Sequence, residues 1–489
     1  MRSQRTILAA AAATLWVVPT LAVAGEVEDQ LRQMNARMEQ MEQQLQATNE
    51  ELAASKQRVE DQQGLIQNLD EDRQASSGLS KFLSETEFSG VMAASYTYNF
   101  KNFSSSAVGR NGSSTTGGEN SGIVGITAPQ HQNSNTFQVD QLAFRMKKTP
   151  TAESRAGWGS SLTWGTSADV LAARSGSDAS GDLPELTEAY ASYLFDIGSG
   201  VNLTAGRYMT PVGAESFFMN ENFNVTRGLL WTLQPVNHTG GFLGGSCECG
   251  LSWQLGASNG YGNSMADTDT QPTFVGSVGY KMDTLGFKLN GVYGGNVDDL
   301  LGAFGAFGLV SSTTPGAGTF STGFERNDDK IGLLDAVLTW NPSDSLSTWA
   351  NFDYWWTSNP GSNAPGAIGS NLEKLNIWGI AGAGRYAITE ATGFSLRYEY
   401  LMFDNFSGGS DADLMELTAT LDHHLTDSLV LSAEGRWDRG RADDFPNSMF
   451  LSNASGNPYN AGPGLNGGDF ADNKSNHQVL GLVQLRYDF

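Results

Sequence analysis

Between residues 394 and 400 the chain alternates. Phe394, Leu396, Tyr398 and Tyr400 are apolar or aromatic, and Ser395, Arg397 and Glu399 stand between them. The same step recurs where Leu431, Ala433, Gly435 and Trp437 interleave with Glu434, Arg436 and Asp438. In an extended chain, side chains two apart share a face. Each segment therefore carries guanidinium and carboxylate groups in a row on one side and hydrocarbon on the other. Such a row makes and breaks no bonds by itself. On the wall of a water-filled passage, however, opposite charges set up a transverse field that orients polar solutes. Segments of the same texture add Arg145, Glu188, Asp335, Asn351, Asp353, Arg385, Glu416, Asp422 and Arg486 to that inner phase. The plainer reading of each is a charge that pairs with a neighbour and hydrates the wall.

A second group lies in the stretch Thr210 to Pro235, which holds Glu215, Phe217, Phe218, Asn220, Glu221, Asn222, Arg227 and Trp231. Carboxylate, guanidinium and aromatic groups together suit a constriction that narrows and polarises a pore. An exposed surface loop is the competing reading, but such a loop has little use for Phe217, Phe218, Phe223 and Trp231. Catalytic sets do not emerge. No local serine-nucleophile signature accompanies the histidines. His131, His238, His423, His424 and His477 are scattered, and His423 and His424 fall on opposite faces of one strand, so no zinc spacing exists. Both cysteines belong to Cys247-Glu248-Cys249, which allows an i,i+2 disulfide in an oxidising compartment but no multi-thiolate metal module. The glycine-rich run 316–323 lacks a phosphate-cradling motif. The sequence nominates no catalytic residue, cofactor or metal.

The elements that must position these groups are strands. Of 489 residues only 17% are charged and 58 are Gly, a texture unlike that of a soluble multidomain enzyme. A net charge of −24 argues against a nucleic-acid partner. Beyond the first 24 residues no uninterrupted apolar run reaches membrane-spanning length. Sixteen segments with period-two alternation occupy residues 87–489 instead, from Phe88-Ser89-Gly90 to the terminal Val483, Leu485, Tyr487 and Phe489. Short turns at 197–199, 248–250, 341–344 and 426–428 alternate with long links at 101–135, 210–236, 295–328 and 441–475. Short turns on one rim, long loops on the other and an even strand count predict a closed antiparallel barrel with lipid outside and water inside. A soluble sandwich would show no such asymmetry. Trp340, Phe352, Tyr354, Trp356, Tyr386, Phe394, Tyr398, Tyr400, Trp437 and Tyr487 share the apolar phase, as interfacial girdles require.

Three segments precede the barrel. Arg2 and Arg5, an uncharged stretch and Ala22-Val23-Ala24 predict a secretory signal peptide over residues 1–24, with a membrane anchor as the alternative. Within residues 25–73, Val27 to Leu69 keep a strict four-three repeat whose core set is Leu31, Met38, Leu45, Leu52, Val59 and Ile66. A 3.5-residue repeat holds one seam against a partner helix, which predicts a coiled coil and hence a homo-oligomer, preferably a trimer because Thr48, Ser55 and Gln62 interrupt the second seam. A lone amphipathic helix would leave a stripe roughly 65 Å long uncovered at 1.5 Å per residue. Residues 74–84 form a linker, and 85–489 the barrel.

The segments "FSGVMAASYTYNF", "LTAGRYMTPVGAESFF", "LLWTLQPVNHTG" and "LRYDF" resemble the OmpL-like beta-barrel porin family of Gram-negative outer membranes over roughly residues 85–489. The coiled coil is similar to periplasmic extensions of some substrate-specific porins, and Phe489 looks like the aromatic terminus that barrel-assembly machinery recognises. The resemblance implies a passive diffusion channel whose loop after the fifth strand folds into the lumen. The acid excess adds weak cation selectivity. Outer-membrane lipid and lipopolysaccharide are the expected surroundings, with divalent-cation bridging at loop acids such as Asp298-Asp299 and Asp443-Asp444, and peptidoglycan contact through the coiled coil. Substrate-specific uptake of a sugar or siderophore is the alternative, for which Trp349 and Trp355 are the sole adjacent inward aromatic pair, and a structural tether is another.

Overall fold

The computed structural model describes residues 23–75, 82–100, 130–131, 135–175, 185–262, 272–294, 330–358, 376–407, 410–442 and 477–489. The predicted signal peptide, the acidic pairs Asp298-Asp299 and Asp443-Asp444 and most of the linker lie outside them. The chain divides into two units at Ser84 and Glu85.

The first unit holds one helix, α1 (Val23–Ala75). Its heptad residues Met34, Met38, Met41, Leu45, Leu52 and Val59 are all at least 49% exposed in the single chain. The side chains of Leu31 and Ile66 fall outside the description.

In the second unit sixteen strands pair antiparallel, each with its sequence neighbours, and β1 closes on β16. They are β1 (Glu87–Asn99), β2 (Thr136–Lys148), β3 (Ala156–Trp164), β4 (Glu185–Phe195), β5 (Val201–Met209), β6 (Asn237–Ser246), β7 (Leu251–Ser258) and β8 (Thr273–Lys281). The second half runs β9 (Leu285–Gly294), β10 (Lys330–Ser343), β11 (Leu346–Ser358), β12 (Asn376–Ala387), β13 (Thr392–Ser407), β14 (Ser410–His424), β15 (Leu429–Ala442) and β16 (His477–Asp488). Closure extends to the last residue: Gly90 N–H donates to the Phe489 carbonyl at 2.7 Å, and Phe489 N–H returns the bond at 3.1 Å. A Cβ on Gly90 would meet both the Ala143 carbonyl and the Phe489 ring, so glycine admits the terminal aromatic there. Cys247 and Cys249 form a disulfide at the turn between β6 and β7.

The two phases of the strands separate as the alternation demands. Phe394, Leu396 and Tyr398 are 41%, 45% and 45% exposed on the outer surface, whereas Ser395, Arg397 and Glu399 are 0%, 0% and 1% exposed. Trp340, Phe352, Tyr386 and Tyr487 are likewise exposed on the outside.

Two helices interrupt the connections: α2 (Thr166–Ser175) between β3 and β4, and the single turn α3 (Leu229–Leu233) between β5 and β6. The sequence reading assigned no helix to either link. Inside the barrel, Leu229, Leu230 and Leu233 pack with Val275, Val292, Ile331, Leu333, Trp355, Ile377, Leu401, Phe403 and Leu414. These wall residues lie near the long-loop ends of β8 to β14, where the inward phase is apolar. A second cluster joins Val170 and Leu171 of α2 to Phe217, Phe218, Trp231 and Val236 and to Val91 and Ala143 on the wall. The segment 210–236 therefore lies between two apolar cores within the barrel.

Candidate functional site

The segment 210–236 has few backbone partners of its own, since its only regular pieces are a 3-10 turn (Met219–Glu221) and α3. Its peptide groups must find acceptors elsewhere or lose free energy on burial. The wall supplies them. On β15, the Glu434 carboxylate accepts from Val225 N at 2.7 Å, from Thr226 N at 3.0 Å and from Thr226 Oγ1 at 2.6 Å, while Thr420 Oγ1 donates to it from β14. Glu399 on β13 accepts from Leu230 N at 3.0 Å. A Cβ on Gly228 would collide with Glu399 Oε1, so glycine lets the loop backbone come close to this carboxylate.

On β2, three strands round the closed barrel from β15, Gln141 donates to the Phe217 carbonyl at 3.2 Å and accepts from Met219 N at 2.9 Å. A register shift between Ala93 and Ala94 leaves Asp140 without a strand partner, and this bulge lets consecutive Asp140 and Gln141 both be buried. Asp140 in turn accepts from Ser95, Gln138 and Gln484, tying β1, β2 and β16 together.

The two ends of the loop meet on β10 and β11. Gly213 N donates to Asp335 at 3.2 Å, Ala214 N to Asn351 Oδ1 at 3.1 Å, and Gln234 Nε2 to Asp353 at 2.6 Å. Asn351 bridges Asp335 and Asp353, at 2.6 and 3.1 Å, and Asn290 donates to Asp335.

Between these anchors runs a buried ion network. Arg397 pairs with Glu215 of the loop at 2.6 Å, with Glu416 at 2.9 Å and with Glu399 at 3.6 Å. Arg436 pairs with Glu416 at 3.1 Å and with Asp438 at 2.9 Å. Both guanidinium groups also donate to loop carbonyls, Arg397 to Thr226 and Arg436 to Arg227, each at 2.6 Å. Arg227 itself gives its N–H groups to the carbonyls of Ser216, Val225 and Phe217. Burial pulls its pKa from the ordinary guanidinium value down to about 10, against the opposing influence of Glu215.

The sequence reading placed Arg397, Glu399, Glu416, Glu434, Arg436, Asp438 and Asp353 on a water-lined wall. They face inward, but all are at most 5% exposed because the loop covers them. The charge pattern located the wall and gave no sign of the cover, which comes from residues some two hundred positions away. Of the residues expected at a constriction, Arg227 is spent on carbonyls within the loop, which acts as a strap across the barrel, and Glu215 pairs with Arg397 on the wall. The charges that keep access are fewer. Arg145 pairs with Glu221 and stacks over Phe218 at 3.7 Å, and Ser161 donates to Glu188 at 3.1 Å. Arg385 pairs with Asp422 at 2.6 Å and Arg486 with Asp488 at 3.0 Å. The last two pairs and Glu221 border a cavity of about 370 Å³ beneath loop residues Asn220 to Val225. Of the aromatic pair nominated for sugar stacking, Trp355 is buried and donates to Tyr261 Oη at 2.8 Å, and Trp349 packs against the same apolar core.

A family model described as beta-barrel porin-2, OmpL-like, matches residues 85–460. Among solved structures, a loop L8 deletion mutant of OmpT, an outer membrane protein of Vibrio cholerae, is 11% identical with a TM-score of 0.48, covering 83% of this chain and 99% of that one. The trimer form of in-vitro folded OmpT from the same organism is 12% identical at a TM-score of 0.45, with coverages of 83% and 99%. An anion-selective porin from Comamonas acidovorans is 10% identical at 0.43, also covering 83% and 99%. No curated protein matches the chain in sequence. With a family match across most of its length and a sixteen-stranded barrel that closes on itself, the chain belongs to the OmpL-like beta-barrel porin family of the bacterial outer membrane.

Proposed function

We propose that the barrel is a passive diffusion channel for small hydrophilic solutes, weakly cation-selective, with segment 210–236 as its constriction. The observation that carries this reading is the strap itself. Side chains from β2, β10, β11, β13 and β15 fasten the segment across the barrel interior and leave a polar cavity below it. A loop held from so many strands keeps one cross-section, which a size-limiting filter needs. Selectivity is weak because most of the accessible charges come as opposite pairs, Arg145 with Glu221, Arg385 with Asp422 and Arg486 with Asp488. Its sign follows the acid excess of residues 74–489, 41 acidic groups against 22 basic ones, whose field a low-dielectric wall focuses into the passage.

The exposed heptad stripe of α1 supports a periplasmic coiled coil of three chains, which would extend toward peptidoglycan while the barrel sits among outer-membrane lipid and lipopolysaccharide. Reversal potentials across planar bilayers in a tenfold KCl gradient test the channel. Discrete conductance steps with a modest cation preference are expected. An insulating barrel would favour the tether reading, and anion preference would defeat the selectivity.

A further inference from the structure

The cavity beneath the strap is bounded by the loop residues Asn220 to Val225 and by the inner faces of β12, β14, β15 and β16 near the short-turn rim. Its two arginines are each paired before any solute arrives, and Glu221, the third carboxylate on the cavity, is paired with Arg145. Arg385 on β12 reaches over β13 to Asp422 on β14, with Nη2 to Oδ2 at 2.6 Å and Nε to Oδ1 at 3.3 Å. The guanidinium passes over Gly393, where a Cβ would meet Arg385 Nη2. Arg486 donates through Nε to both Asp488 oxygens, at 3.0 and 3.2 Å.

Each pair still has spare valence. A guanidinium has five N–H donors and a carboxylate about four lone-pair sites. Among the described residues, Arg385 Nη1 and both Nη atoms of Arg486 bond to no protein acceptor. The cavity thus presents donors and acceptors side by side with little net charge. An ionic solute gains little there, because it must compete with a bond already made. Adjacent hydroxyl groups suit the arrangement, since each accepts from a guanidinium edge and donates to the neighbouring carboxylate without breaking the pair. The half-buried Phe223 ring on the same cavity offers an apolar surface to the C–H face of such a molecule. A volume of about 370 Å³ lies within the range of small-molecule sites, about 300–1,000 Å³.

We propose that this cavity is a binding subsite for a neutral polyhydroxylated solute, a mono- or disaccharide, which rests on the channel reading above. The test uses the full-length protein and sucrose, glucose and glycine betaine as probes. In planar bilayers sucrose should reduce the ionic current saturably and glycine betaine should not. Arg486→Gln and Asp422→Asn should each raise the blocking concentration about tenfold, the loss expected for one hydrogen bond to a charged group. A conducting barrel that ignores both sugars, or that glycine betaine blocks equally, overturns the subsite and leaves the channel standing. Saturation-transfer NMR of sucrose with detergent-solubilised protein reads the site independently of conduction. Saturable transfer that the two variants weaken about tenfold supports it even in an insulating barrel, and no transfer overturns it.

Discussion

Two sets of inward charges lie on adjacent strands of one stretch of wall, β12 to β16. Arg397, Glu416, Arg436 and Asp438 are sealed under the strap, whereas Arg385, Asp422, Arg486 and Asp488 border an open cavity. Composition and phase are alike in the two sets. Only the cover differs, and it reverses what the charges do. A charge pair exposed to water contributes little to stability and remains free to meet solutes. Beneath a cover the same pair becomes indispensable, because removing one member strands the other in a low dielectric.

The sharpest way to break this contrast is Arg397→Ala. It leaves Glu215, Glu399 and Glu416 buried around an empty place, and the expected loss is about 3–5 kcal/mol. Urea unfolding followed by tryptophan fluorescence in detergent checks it, and a loss below about 1 kcal/mol would put the covered network in the same class as the open pairs. Next in size is Leu230→Ala, which empties space between α3 and the apolar wall. Its expected cost is about 3 kcal/mol, within the 2–5 kcal/mol usual for such truncations. Glu434→Ala follows, at about 2 kcal/mol, since Val225 N and Thr226 N lose their acceptor. Glu434→Gln keeps a carbonyl oxygen and should recover part of that loss. If the strap limits the passage, Glu434→Ala should also raise single-channel conductance while Glu434→Gln stays closer to the parent.

The order of these effects tracks what the sequence made legible. The barrel's sixteen strands were readable because hydrocarbon and water impose opposite demands on alternate residues, and Phe394 to Glu399 obey them without exception. That rule weakens where both faces are apolar. Ile331 and Leu333 on β10 or Leu401 and Phe403 on β13 face an internal core, and period two alone cannot distinguish a core from lipid. The strap was legible as an odd loop, too aromatic for solvent. Its anchors were not, because Glu434 and Val225 meet across two hundred residues of chain. Gln141 was hidden for a different reason: the bulge at Asp140 breaks the alternation that would have nominated it. The α1 heptads were plain in sequence, and a single chain leaves their stripe exposed.

The smallest effect sharpens the contrast most, because it separates stability from permeation at one residue. The Arg486 and Asp488 side chains are 14% and 28% exposed, so water and ions reach the pair. Arg486→Ala should therefore cost less than about 1 kcal/mol in the same urea assay. Its electrical consequence has a definite sign. Removing the guanidinium leaves Asp488 uncompensated beside the cavity, which adds a negative charge to the passage and moves the reversal potential toward stronger cation preference. At 0.1 M KCl the Debye length is about 10 Å and the added charge acts across the cavity; at 1 M it is about 3 Å and the shift should vanish. A variant that unfolds as readily as Arg397→Ala would mean that the short-turn pair is also structural. A shift that persists undiminished at 1 M would mean that the variant changed the shape of the passage rather than its field.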